Sequence, residues 1–141
     1  MQRWAARLAA IFFLAFSVFQ LSLGLGAPFG AFAWGGSTEV LPATLRWSSA
    51  AACVVLMLAS GVMLVRAGDV GRTLPTAPFW WVNALLAVQL ALNTLANLAS
   101  RSPAERMVMT PATTVGLFLC IAALLLPREK RIRESAPTSA G

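Results

Sequence analysis

Gln89, Asn93 and Asn97 stand four residues apart in an apolar run that opens into Ser100-Arg101-Ser102-Pro103-Ala104-Glu105-Arg106. At about 100° per residue, each step of four advances only about 40°, so on a helix the three amides share one narrow face. Ser100 falls on that face and Thr94 on its edge. Interhelical hydrogen bonds in membranes average about 0.6 kcal/mol, so three amides together supply about 2 kcal/mol. That suffices to choose which face of the helix turns inward, and structural cohesion is the first expectation. The second is that the amides line a pocket for a small polar or amphipathic ligand.

Other chemistry is scarce. Glu39 and Glu105 could form an acid and base pair if their environments differed, but each has arginines nearby in sequence, which makes loop ion pairs the default. The chain has no histidine. His-ligated haem, His-based zinc sites and Ser/His/Asp triads are thereby excluded, and no Gly-x-Ser-x-Gly turn is present. Gly24, Gly26 and Gly30 follow no strand and precede no Lys-Ser or Lys-Thr pair, so they do not make a phosphate loop. Cys53 and Cys120 lie deep in apolar runs and read as small packing residues. No metal or cofactor is expected, and enzymatic activity is disfavoured.

The elements that carry these residues follow from composition. In 141 residues, 58% are hydrophobic and 11% charged, with a mean hydropathy of +0.74. A spanning helix needs about 20 apolar residues, and four runs of that length fit, at 8–26, 47–65, 79–99 and 107–126. Long alternating strands are absent, which argues against a membrane barrel. The expected fold is an all-α membrane protein, a four-transmembrane-helix bundle over residues 1–127 followed by a basic, disordered cytoplasmic tail over 128–141. Ala31-Phe32-Ala33 resembles a signal-peptidase site, but the first apolar run is longer than a signal core, which favours a retained helix. Pro28 interrupts the Gly26 and Gly30 pair. Ser48, Ser49, Ala50, Ala51 and Ala52, with Ser60 and Gly61 further on, offer the second helix a small-residue packing face.

Basic residues set the expected topology. Arg3, Arg7, Arg66, Arg72, Arg128, Lys130, Arg131 and Arg133 gather on one side, while Arg46, Arg101 and Arg106 fall on the other. The positive-inside rule then places both termini in the cytoplasm of a multi-pass inner-membrane protein, N-in and C-in. The same clustering beside apolar runs accounts for the net charge of +6 without nucleic acid. The loops at 27–45 and 100–111 face outward together. Gln20, Glu39, Arg46, Gln89, Asn93, Asn97, Arg101, Glu105 and Arg106 are therefore the candidates for an outward-facing polar pocket.

Leu23-Gly24-Leu25-Gly26-Ala27-Pro28-Phe29-Gly30, Trp34-Gly35-Gly36, Val40-Leu41-Pro42 with Leu45-Arg46, and Asn97 through Arg106 with Pro111 together resemble a family of small, uncharacterised bacterial four-span membrane proteins. The resemblance covers most of the chain except the tail. It implies a shared fold and brings no activity with it. In that family Trp often stands at the position of Phe29 and His at that of Gln20. The functional expectation is a non-enzymatic protein that binds a lipid-like molecule or a partner protein through its outer polar end. Alternatives are an intramembrane enzyme acting on a lipid or isoprenoid head group, with Glu39 or Glu105 as acid or base, and a homo-oligomeric channel or carrier. A retained first helix predicts an intact chain of 14.9 kDa by mass spectrometry; loss of the first 33 residues would overturn the topology.

Overall fold

The computed structural model describes residues 1–71 and 73–127; Arg72 and the tail at 128–141, with its expected disorder, lie outside the described residues. Four helices dominate: α1 (Gln2–Gly24), α2 (Ala43–Ala67), α3 (Thr76–Leu98) and α4 (Thr110–Leu125). A short 3₁₀ turn occupies Gly30–Phe32 and a π-helical turn, Glu105–Met109, leads into α4. No strand occurs among the described residues. All four helices are long and apolar enough to cross a membrane, the fourth counted from Glu105 to Leu125.

Polar side chains from elsewhere in the chain meet carbonyls at the C-terminal ends of α1, α2 and α4. Helix α1 begins at Gln2, ahead of its apolar run, because its first turns cap the other helices. Gln2 Nε2 donates to Ala123 O at 3.2 Å, and the Arg66 guanidinium donates to the same carbonyl near the end of α4. Arg3 Nε donates to Ala67 O, the last residue of α2, at 3.0 Å. Cations at helix C-termini meet both the unpaired carbonyls and the negative end of the helix dipole. Arg7 forms a two-pronged pair with Asp69 at 2.8 and 2.7 Å. These bonds bring the start of α1, the α2–α3 join and the end of α4 to one end of the bundle.

The core is built from small residues. Ala5, Ala6, Ala9, Ala10 and Phe13 of α1 pack with Ala59, Met63 and Ala67 of α2, Ala87 and Leu90 of α3, and Cys120 and Ala123 of α4. Alanines let the backbones approach, and Ser60 Oγ reaches Ala10 O at 2.9 Å while Ser17 Oγ reaches Cys53 O at 3.2 Å. On α2, Ser49 and Ser60 are buried, whereas Ser48, Ala51 and Gly61 are exposed. Both cysteines are free and buried. Gly26, at φ +95°, sits in the turn after α1, so Gly26 and Gly30 do not share a helix face.

The inward face of α3 differs from the one expected. Its buried residues are Asn83, Ala87 and Leu90, and Gln89 is exposed. The 40° advance accumulates to about 80° between Gln89 and Asn97, so the stripe winds from outside the bundle to its inner edge. Asn83, fully buried, ties α3 to α4 through Nδ2 to Cys120 O at 3.4 Å.

Two glycines test this packing. A Cβ on Gly116 would stand 2.4 Å from the Phe12 ring, which is held between Phe13 and Phe16, whereas nothing lies within 4 Å of a Cβ on Gly61. Gly116→Ala should cost about 1–3 kcal/mol by overpacking. Gly61→Ala should be neutral or stabilise by up to about 1 kcal/mol. Thermal unfolding of both variants in detergent reads the contrast, and equal midpoints would contradict the α1–α4 packing.

Candidate functional site

The opposite end of the bundle is closed mainly by short side chains and backbone. Pro103 and Ala104 turn helical immediately after Ser102, and Ser102 Oγ accepts from Glu105 N at 3.2 Å. Ser102-Pro103-Ala104-Glu105 thus has the N-terminal signature of a helix: a hydroxyl cap, proline in the first turn and an acid three residues on. The same hydroxyl donates to Ala31 O at 2.7 Å, joining this turn to the α1–α2 loop. Ser102 N donates in turn to Ser100 Oγ at 3.1 Å, and Ser100 Oγ donates to Glu105 Oε2 at 2.5 Å.

The loop meets this turn without a side chain in the way. Gly36, at φ +64°, lies so close that a Cβ would stand 2.4 Å from Ser102 Cβ. Just before it, Trp34 holds φ 54°, a left-handed conformation unusual for a bulky residue. Its indole Nε1 donates to Ser49 Oγ at 2.9 Å, which fixes the ring against α2. Such strain persists only where neighbours over-determine it, and it gathers at binding sites.

Pro111 explains the π turn. Proline inside a helix removes a donor and crowds the carbonyl four residues back. The wider π turn at Glu105–Met109 accommodates that mismatch immediately upstream. Threonines then take up nearby carbonyls: Thr113 Oγ1 donates to Met109 O at 2.8 Å and Thr114 Oγ1 to Thr110 O at 2.7 Å. Thr113 also accepts from Asn97 Nδ2 at 3.4 Å and lies 3.0 Å from Thr94 Oγ1. This polar cluster joins the ends of α3 and α4.

Between these parts lies a cleft of about 440 Å³ lined by Trp34, Gly35, Asn93, Ala96, Asn97, Ser100, Arg101 and Glu105. Of the nine residues singled out from the sequence, Asn93, Asn97, Arg101 and Glu105 meet here. Gln89 lies one turn below, its Nε2 donating to Asn93 Oδ1 at 3.0 Å. The other four stand apart. Arg46 Nε donates to Gly24 O at 3.0 Å and covers the end of α1, which is a capping role. Glu39 is exposed in the loop, where its backbone carbonyl accepts from Gly30 N at 2.8 Å. Arg106 is exposed on the π turn, and Gln20 sits on α1 with a buried Oε1 that has no partner among the described residues.

The two acids proposed for acid and base work are therefore not brought together in the cleft. Glu105 is buried and engaged by Ser100, and Glu39 is not among the lining residues. Among the described residues no group of three or more potential metal ligands occurs. Arg101 is exposed and forms no ion pair among the described residues. The cleft thus offers one cation, one carboxylate held by the Ser100 hydroxyl, two amides and an indole. The sequence reading overlooked Trp34 and Ser102; the Ser-x-x-Glu spacing with proline in the first turn was the signal for Ser102. Comparison of the chain with family models, curated proteins and solved structures found no match.

Ser102→Ala removes both the cap and the bridge to Ala31, and should cost about 1–2 kcal/mol. Hydrogen exchange should rise together in residues 30–36 and 102–106. Faster exchange confined to the second stretch would show that the bridge does not hold the loop.

Proposed function

We propose that the protein is a non-enzymatic, multi-pass membrane protein that holds the anionic head group of a lipid-like molecule in the cleft at its loop end. The observation that carries this reading is the convergence of Arg101 with Asn93, Asn97 and Ser100 beside Trp34. A guanidinium with amide neighbours suits a phosphate, and the Glu105 carboxylate, held by Ser100, can accept from hydroxyls that the head group carries. The cleft is large enough for a head group and too small for a whole lipid, whose chains would remain in the surrounding bilayer. An indole at the end of a spanning bundle, as Trp34 is here, suits the membrane interface, where tryptophan is enriched.

Sidedness follows from charge. Eight of the eleven basic residues belong by sequence to the end that carries the N-terminus, the α2–α3 join and the tail. That asymmetry orients both termini to the cytoplasm and the cleft to the outside, and the resemblance noted above supports a bacterial inner membrane.

Native mass spectrometry of the full chain, released in mild detergent and titrated with phosphatidylglycerol or phosphatidylcholine, tests the reading. The anionic lipid should be retained preferentially. Arg101→Gln should weaken that retention about tenfold, and the double change Asn93→Leu with Asn97→Leu should weaken it further while the chain stays helical. Equal retention of the two lipids, or no effect of Arg101→Gln, would count against it.

A further inference from the structure

On α3, Val82, Leu85, Gln89, Leu92 and Ala96 follow one another at intervals of three, four, three and four residues. That is the spacing of the contact seam in a left-handed helix pair. The seam points away from the bundle, on the side opposite Asn83, Ala87 and Leu90: Val82 is 40% exposed, Leu85 68% and Leu92 56%, and Gln89 and Ala96 are exposed too. An apolar seam would need no cover in lipid. Gln89 changes that.

Gln89 is the fourteenth of the 23 residues of α3, about 3 Å from its midpoint. One of its Nε2 protons is used on Asn93 Oδ1. Among the described residues the other proton and Oε1 have no partner. Hydrocarbon offers neither a donor nor an acceptor, and polar groups at this depth are found facing protein. What is required is a surface that presents both a donor and an acceptor at the same depth.

We propose that α3 is a self-association helix, and that the seam from Val82 to Ala96 packs in parallel against the same seam of a second copy. Two chains inserted with the same orientation and related by a two-fold axis along the membrane normal place their Gln89 side chains at one depth. A primary amide is its own complement. The free N–H of each Gln89 then donates to the Oε1 of the other, and the bond sets the register as a single polar residue does in a coiled-coil seam. Ala96, small and at the upper end, lets the helices converge beside the cleft. The inference rests on the helices crossing a bilayer, as proposed above, and not on the cleft holding a ligand.

Cysteine cross-linking of the full chain in phosphatidylethanolamine and phosphatidylglycerol vesicles tests it, with the chain lacking added cysteines as the control for Cys53 and Cys120. Leu85→Cys and Leu92→Cys should give a product of twice the chain mass, about fivefold more than Val88→Cys and Leu95→Cys, which are equally exposed but off the seam. Gln89→Leu should weaken association about three- to tenfold, and Gln89→Asn should retain most of it. Inserted chains that cross-link equally at all four positions, or that give a product of any other mass, overturn the pairing alone. Chains that do not enter the vesicles overturn the membrane reading as well.

Discussion

Four alanines on one face of α1, Ala5, Ala6, Ala9 and Ala10, set the distance at which the bundle assembles. With no larger side chain between them, α1 and α2 approach closely enough for serine hydroxyls to reach carbonyls of the opposite helix, Ser60 to Ala10 and Ser17 to Cys53. Burying apolar surface gains little where the surroundings are apolar, so close packing and such hydrogen bonds are what remain to hold helices together. Helix α4 docks on the other side of α1 by the same means, Gly116 receiving the Phe12 ring. Helix α3 packs chiefly on α4. Its opposite face is left uncovered among the described residues.

The four helices were legible because apolar runs of spanning length need no tertiary information to be found. Their ends were less so. The first run was expected from residue 8, yet α1 starts at Gln2 because Gln2 and Arg3 cap carbonyls more than 60 residues away in the chain. Polar residues at the ends of spans look like flanks until their partners are known. The amide stripe was correct as a spacing and misleading as a direction. Four-residue steps drift, and the inward amide was Asn83, which a heptad pattern with Ala87, Leu90 and Thr94 would have selected.

The cleft was half visible for a related reason. Asn93, Asn97, Arg101 and Glu105 lie within thirteen residues of one another and meet through local geometry. Trp34 and Gly35 arrive from the α1–α2 loop, brought there by the bonds from Ser102 to Ala31 and from Trp34 to Ser49 and by the close approach of Gly36 to Ser102. Glu39, Arg46 and Arg106 shared the expected side of the membrane with these residues. Sharing a side is a weaker condition than sharing a site, and Arg46 shows why: a cation near a helix C-terminus is drawn to its carbonyls first.

The two ends of the bundle are closed by side chains of different reach. At the terminal end the polar closures are Gln2, Arg3, Arg7 and Arg66; Gln2 and Arg66 are buried, whereas Arg3 and Arg7 are long chains at the surface whose methylenes can lie along apolar surface while their tips shift. At the loop end Arg46 is the one long cap, on Gly24 O, and the other closures are Ser49, Ser100 and Ser102, glycine backbone and a turn with no slack at Gly36. A bilayer thicker or thinner than the helices imposes mismatch on whatever crosses it. In helices that cross a bilayer that mismatch would be taken up more at the end that carries Arg3 and Arg7, while the cleft at the tighter end keeps its shape.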